Sequence, residues 1–503
     1  MEASPSSAPG LKRSLSVWAA VGLSVALMAP SMAANINPQG SALHAGRAVP
    51  LTFLIAAVGV LLVAYSFVRL CQYFHHAGSV YAFVGATLGP RTGVVAGWGL
   101  LGTYTFYAVV TSAAAGIFGT AFLQDVGIWH NPPTWAPFVL LAVALLLALV
   151  LAVMPTRRGA GVLLSVEGTT VALILVVTAV VLVRLLAGNA PGHEQFTWSV
   201  FSVAPGTNTN DLFLGVVFGF LSFAGFEAAA TLGEEANRPT RDIPRAIFGV
   251  AVFGGVYFTI VTAVEMMGFG TSAAGVKNFV NAPSLLGALG SSYVGNWVGD
   301  VITLGTAVSA FGCCLASTVG AARLMYALSR DARGERGVGA PSRWGTPANA
   351  TMVITSMSAL IIIIYATAFH ATAFESFLWS GTIGTLILLV VYVLASIGCT
   401  ILVFIRHKLE VPAWQIAIPI AGLIVLGYTL YRNVWPYPVG DAAWFPVTAG
   451  VWLVVAVVAV IFAPGTARKL GAALAAREGI KAPDGTAAEV PAARLATAGE
   501  EAS

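Results

Sequence analysis

Twelve apolar runs are the feature of this chain that most restricts its fold. Each run is close to the ~20 residues that an α-helix needs to cross a bilayer. Only 9% of the 503 residues are charged, against about 25% in soluble domains, so a water-exposed surface could not be covered. We therefore predict an all-α polytopic membrane protein with twelve transmembrane helices. The predicted spans are 15–37, 49–73, 93–123, 136–154, 160–187, 211–232, 246–270, 297–325, 349–369, 376–405, 413–431 and 445–464.

The distribution of Lys and Arg predicts the orientation of these spans. With the N-terminus in the cytoplasm, only four basic residues fall on the outer side, and the other 21 of the 25 lie inside or at cytoplasmic helix ends. The four are Arg47, Arg184, Lys277 and Arg432. Cytoplasmic loops of membrane proteins are enriched in these residue types. We therefore expect a multi-pass protein of the cytoplasmic membrane with both termini inside the cell.

One membrane domain, 15–465, lies between two predicted tails. Residues 1–14 are rich in Ser, Pro and Ala, and residues 466–503 are Ala-rich with scattered Pro and Gly. Both compositions predict disordered or mostly disordered cytoplasmic segments. The region from Lys12 to Asn35 also resembles a cleavable signal peptide. Because its removal would leave eleven spans and a less consistent distribution of basic residues, we expect the N-terminus to be retained.

Several function classes lack their sequence signatures. The chain has no Walker-type phosphate-binding loop and no His-Glu-x-x-His or other catalytic constellation, so we predict no enzyme activity. Its four cysteines lie in or at the ends of spans and form no Cys-x-x-Cys pattern, which predicts neither a disulfide framework nor a metal site. No soluble basic patch is present to hold nucleic acid. The expected partners are a small-molecule solute and the lipid bilayer, with no cofactor and the oligomeric state left open.

The sixth run carries a glycine and a carboxylate inside its apolar stretch. Gly225 and Glu227 lie within it, before the chain leaves the membrane through charged residues 234–245. A carboxylate at this depth is costly and by default faces a cavity or a partner. An unwound helix is tolerated there only where it lines a cavity or is buried in protein. The pattern predicts a broken helix at a solute site, as in secondary transporters.

The first run contains a matching interruption at Pro30. Proline lacks an N–H and clashes with the preceding turn, so the helix must kink or open near residues 26–30. Opening exposes backbone N–H groups at the start of the next half-helix, and their partial positive charge suits a carboxylate. The two interruptions are five spans apart. This offset predicts inverted repeats formed by spans 1–5 and 6–10, with spans 11 and 12 appended.

Four stretches resemble amino acid–polyamine–organocation (APC) family permeases, and they occur in the family's order. Residues 220–246 resemble the sixth helix, residues 75–98 the connection from span 2 to span 3, and residues 311–331 with Gly345-Thr346-Pro347 the eighth helix and its exit. Ala29-Pro30-Ser31 stands where the family breaks its first helix at a Gly-Ser-Gly-type sequence. The resemblance implies a five-plus-five inverted-repeat fold with broken helices 1 and 6.

The resemblance also implies roles for residues at both interruptions. Backbone donors in span 1 would receive a substrate carboxylate, and backbone carbonyls in span 6 its ammonium, beside a shielding aromatic. The matching positions are Ala29, Pro30, Ser31, Ser222, Phe223, Ala224 and Gly225. Glu227 matches a carboxylate proposed to couple gating to protonation. The simpler alternative is a buried Glu that only braces its neighbours.

Two coupling ions remain open, H⁺ and Na⁺. In related five-plus-five folds, hydroxyls of span 8 join carbonyls of span 1 around sodium, and hydroxyl and carbonyl oxygens suit a hard cation. Ser317 and Thr318 match those positions. Some proton-coupled relatives carry a span 5 Lys instead. This span 5 has none; Thr170 lies near the expected position and Glu167 one turn earlier.

The resemblance thus implies a secondary active transporter that moves amino acids by alternating access, with proton coupling or exchange. The alternatives are a permease for amines of the polyamine or ethanolamine type, and a transport-dead sensor on the same scaffold.

Overall fold

The computed structural model describes residues 16–74, 80–154, 159–203, 207–232, 236–334, 336–342 and 345–463, with Gly465 and Lys469. The predicted tail 1–14 and, Lys469 apart, the predicted tail 466–503 lie outside these residues. The described part is helical and contains no β-strand. Its α-helices are α1 Val17–Met28, α2 Pro30–Ala45, α3 Val49–Tyr73, α4 Val80–Leu88, α5 Pro90–Asp125, α6 Ala136–Val153, α7 Gly159–Leu186, α8 Leu212–Phe223, α9 Pro239–Phe269, α10 Ala273–Asn281, α11 Leu285–Tyr293, α12 Asn296–Arg333, α13 Ala348–Ala368, α14 Ala373–Thr400, α15 Ala417–Val434 and α16 Trp444–Phe462.

Eleven helical stretches in the described ranges are long and apolar enough to cross a membrane. The first, Val17–Tyr73, covers 57 residues and contains residues 17–37 of the first predicted span and all of the second. A straight helix of this length would measure about 85 Å at 1.5 Å per residue, far more than a bilayer core. It is interrupted at Ala29 and by the 3₁₀ turn Gly46–Ala48. The chain is therefore a polytopic membrane protein whose described part is all helical.

Three short helices lie where the sequence indicated only connections between spans. They are α4, α10 and α11, and the last two occupy most of the predicted polar connection 270–297. Each has nine residues, too few to cross a bilayer. Serine caps begin α10 and α11, since the Ser272 and Ser284 side chains accept the N–H of Gly275 and Gly287. Such caps stabilise a helix start in a polar segment.

The centre of the bundle is formed by α5 packed along α12 and α14, and by α3 packed along α9. The last two spans are more peripheral, because the apolar windows of α15 and α16 are only 22% and 17% buried in the protein. One anchor for α16 is reciprocal: the Trp98 and Trp452 indoles each donate to the other's carbonyl at 2.9 Å. The remaining apolar faces of these two helices are available to lipid.

Candidate functional site

The first broken helix opens at one residue. Helix α1 ends at Met28, Ala29 has the left-handed conformation (φ 43°, ψ 59°), and Pro30 is the first residue of α2. Left-handed geometry is uncommon for a residue other than glycine. Proline suits a first helical position, where its missing N–H would have no partner. The sequence expectation of an opening next to Pro30 agrees with this geometry, and the departure from helical conformation is confined to Ala29.

The second interruption follows α8. This helix ends at Phe223, Ala224 leaves helical geometry with φ −56° and ψ 127°, and Gly225 has a φ of 101°. The chain then resumes as a 3₁₀ helix, Phe226–Leu232. A positive φ of this size favours glycine because it has no Cβ. Gly225 therefore permits the break that separates the two helical pieces.

The two interruptions face each other. A Cβ on Gly225 would lie 2.7 Å from Leu27 Cβ and 3.2 Å from the Met28 nitrogen. Ser24 links the same elements, since its hydroxyl donates to the Phe226 carbonyl and accepts the Ala229 N–H, both at 3.0 Å. Ser24 of α1, the helix that ends at the first break, thus satisfies two backbone groups that follow the second break.

All ten residues singled out from the sequence for the site are buried: Ala29, Pro30, Ser31, Ser222, Phe223, Ala224, Gly225, Glu227, Ser317 and Thr318. Ser222 accepts a hydrogen bond from the Asn37 amide at 2.7 Å. Phe223 packs edge-on against Phe258 with ring centroids 5.3 Å apart. Positions from α2, α8 and α9 thus meet around the interruptions.

Glu227 lies in an aromatic pocket just after the second break. The Tyr392 hydroxyl of α14 donates to Glu227 Oε2 at 2.9 Å. The rings of Phe67, Phe226 and Tyr392 contact one another, with centroids 5.7 to 5.8 Å apart. No basic side chain among the described residues forms an ion pair with Glu227. The carboxylate is held by a hydroxyl that ties the broken helix to α14.

Glu167 of α7 contacts the first break directly. Its Oε1 accepts the Ser31 N–H at 2.8 Å, and the Ser309 hydroxyl lies beside its carboxylate. Sequence reasoning noted Glu167 but gave it no role. A signal was present, because a carboxylate inside a membrane helix is by default functional or partnered.

Glu265 of α9 is a third buried carboxylate, and sequence reasoning missed it. It is fully buried, and neither of its oxygens has a hydrogen-bond partner within the described part of the chain. Tyr257, two turns earlier in α9, lies within electrostatic range of both Glu167 and Glu265. The Tyr257 hydroxyl also donates to the Pro30 carbonyl at 3.4 Å. Tyr257 of α9 thus contacts the backbone of the first break.

Span 8 contacts the end of α1 through a thiol. The Leu27 carbonyl at the end of α1 accepts the Cys313 thiol at 3.2 Å. Ser317 lies one turn further along α12, and the Thr318 hydroxyl has no hydrogen-bond partner within the described residues. A thiol is a soft group, whereas sodium prefers hard oxygen ligands. One carbonyl of span 1 is therefore engaged by a side chain that does not suit that ion.

Comparisons with known proteins identify the family. A family model described as amino acid permease matches residues 38–469. The low-affinity putrescine importer PlaP of Escherichia coli is 27% identical over 365 residues, which are 71% of this chain and 77% of the importer. The branched-chain amino acid permease BcaP of Bacillus subtilis is 24% identical over 336 residues, 64% of this chain and 68% of the permease. An uncharacterized transporter of Mycobacterium tuberculosis, Rv1999c, is 28% identical over 414 residues, 77% of this chain and 83% of that protein. These relatives indicate a transporter rather than an enzyme, and the resemblance found in the sequence is confirmed: this chain belongs to the amino acid permease family.

Proposed function

We propose that this protein is a secondary transporter that moves an amino acid or a related amine across the cytoplasmic membrane by alternating access. The observation that carries the proposal is the contact between the two breaks, where Gly225 faces Leu27 and Met28. Discontinuous helices that meet inside a bundle supply backbone donors and acceptors for a solute. Relatives named for putrescine and for branched-chain amino acids support this solute range.

The proposal includes twelve crossings with both termini in the cytoplasm. It counts Val17–Tyr73 as two crossings, because the 3₁₀ turn Gly46–Ala48 divides it into pieces of bilayer length. Spans 1–5 and 6–10 are then related as inverted repeats, and α15 and α16 are the appended pair. The asymmetry of the basic residues supports the orientation.

We further propose that substrate is received between the breaks, and that Glu227 couples transport to protons. The residues proposed to bind the substrate are Ala29 to Ser31 and Ser222 to Gly225, with Phe223 as the shielding aromatic. The Tyr392 hydroxyl offers Glu227 a partner whose hydrogen bond depends on the state of the carboxylate. Sodium coupling through Ser317 and Thr318 is the rival, and the thiol of Cys313 on the Leu27 carbonyl weighs against it.

Uptake into proteoliposomes tests this function. Purified protein is reconstituted, and radiolabelled amino acids and amines are supplied under a pH gradient, a sodium gradient or no gradient. We expect saturable uptake driven by the pH gradient, and counterflow when the same solute is preloaded. If no solute of either class is taken up or exchanged by protein that binds one of them in a thermal-shift assay, the protein is a sensor on this scaffold and not a transporter.

A further inference from the structure

The start of α2 has no free backbone N–H left for a substrate carboxylate. Pro30 has no N–H, and the Ala33 N–H already bonds the Ala29 carbonyl at 2.9 Å. The Ser31 N–H is bound to Glu167 Oε1 at 2.8 Å, and the Met32 N–H is directed at the Ser309 hydroxyl at 3.4 Å. The anion that a helix N-terminus favours is therefore supplied by the protein itself.

A second carboxylate, Glu265, lies two turns along α9 from Tyr257, whose hydroxyl donates to the Pro30 carbonyl. Glu265 is fully buried, and both of its oxygens lack a partner among the described residues. It lies one turn before the end of α9, on the outer side of the break in the proposed orientation. No Lys, Arg or His of the described ranges forms an ion pair with Glu167 or Glu265. A buried charge without a partner is costly, so an ionised Glu265 would favour a cation beside it.

We infer that the transported solute is an amine without a carboxylate group, and that Glu167 receives its ammonium. This inference rests on the proposed transport function and narrows its substrate class. A carboxylate has about four lone-pair positions on two oxygens, so Glu167 can hold the Ser31 N–H and an ammonium together. Glu265 attracts the cation on the outer approach. An α-amino acid would bring its own carboxylate against Glu167, where like charges repel.

Pairs of solutes that differ only by a carboxyl group test the inference. The pairs are ethanolamine and serine, putrescine and ornithine, cadaverine and lysine, and 3-methylbutylamine and leucine. Binding to purified protein is measured by thermal shift and calorimetry, and uptake is measured in proteoliposomes. For at least one pair we expect the amine to bind at least tenfold more tightly than its amino acid, and to be the member that is transported.

Two variants of Glu167 separate a binding role from a structural one. Glu167→Gln keeps an oxygen that can accept the Ser31 N–H but removes the charge, so amine affinity should fall at least tenfold while the melting temperature changes little. Glu167→Ala vacates the helix terminus, and the amino acid of the preferred pair should gain affinity. Glu265→Gln should raise the KM for the amine with a smaller effect on the maximal rate. Glu410→Gln, which changes an exposed carboxylate, is the matched control and should match the wild type.

The outcomes distinguish this inference from the proposed function. Transport of amino acids by the wild type, with amines equal or weaker, overturns the inference and leaves the function standing. An unchanged preference in Glu167→Gln also overturns it, since Glu167 would then be only a cap of α2. If none of the eight solutes is transported, the result contradicts the proposed function itself.

Discussion

Tyr392 and Glu227 join two elements that are 165 residues apart in the chain through one hydrogen bond of 2.9 Å. Tyr392 belongs to the continuous helix α14, and Glu227 belongs to the 3₁₀ piece that follows the break after α8. Any movement of this broken helix relative to α14 must stretch or replace that bond. The pair is therefore placed where a proton on the carboxylate would change how strongly the broken helix is held.

Glu227→Gln should uncouple transport from the proton gradient. The amide retains an acceptor for the Tyr392 hydroxyl but cannot release or take up a proton. We expect loss of accumulation against a gradient, with exchange of internal for external solute retained, in proteoliposome uptake and counterflow assays. Tyr392→Phe should reduce both activities, because it removes the donor and leaves the buried carboxylate without it. Sodium-dependent uptake together with normal accumulation by Glu227→Gln would instead favour the Ser317 and Thr318 site.

Gly225→Ala should be enough to impair transport. A Cβ at this position would approach Leu27 Cβ to 2.7 Å, and φ is 101°, a conformation that costs an L-residue about 1–2 kcal/mol. We expect a lower melting temperature in detergent and at least a tenfold loss of uptake. A larger residue such as Leu would displace α1 and report on folding more than on transport. Gly427→Ala is the control, because a Cβ there meets no atom within 4 Å. A similar loss of transport in this control would show that the effect is not specific to Gly225.

Ser24→Ala should loosen the link between the two breaks. The Ser24 hydroxyl donates to the Phe226 carbonyl and accepts the Ala229 N–H. The substitution leaves both backbone groups unpaired, and each buried group without a partner costs about 1–3 kcal/mol. We expect a lower melting temperature in detergent. Ser165→Ala is the matched control, because that exposed hydroxyl only bonds the Gly161 carbonyl of its own helix. Equal stability of the two variants would show that the Ser24 bridge contributes nothing measurable.

Cysteine labelling should place both tails inside the cell. All four native cysteines are buried, so background labelling by an impermeant maleimide should be low. We expect labelling of Asn131→Cys, an exposed position between α5 and α6, in intact cells. Ser7→Cys and Ala487→Cys should be labelled only after permeabilisation. Labelling of either tail in intact cells would contradict the proposed orientation.

The sequence by itself determined the class of protein and the positions of both breaks. Apolar runs of bilayer length permit only membrane helices here, because every backbone polar group in lipid must be satisfied within the segment. Pro30 and Gly225 are local signals, since one removes a donor and the other permits a positive φ. For the same reason the sequence could find an interruption but could not say what faces it. It also treated residues 270–297 as a plain connection, because the serine caps that start α10 and α11 are weak signals within a polar segment.

The tertiary structure alone decided which groups meet at the breaks. The Glu167 carboxylate reaches the Ser31 N–H across 136 positions of sequence, and the Cys313 thiol reaches the Leu27 carbonyl across 286. No periodicity or spacing encodes such pairs, because they depend on how α7 and α12 pack against α1 and α2. The sequence predicts a helix N-terminus with free N–H groups inside the membrane. Only the packing of the helices brings the Glu167 carboxylate onto that terminus. That placement rests on long-range contacts, whereas the break itself rests on the conformational limits of single residues.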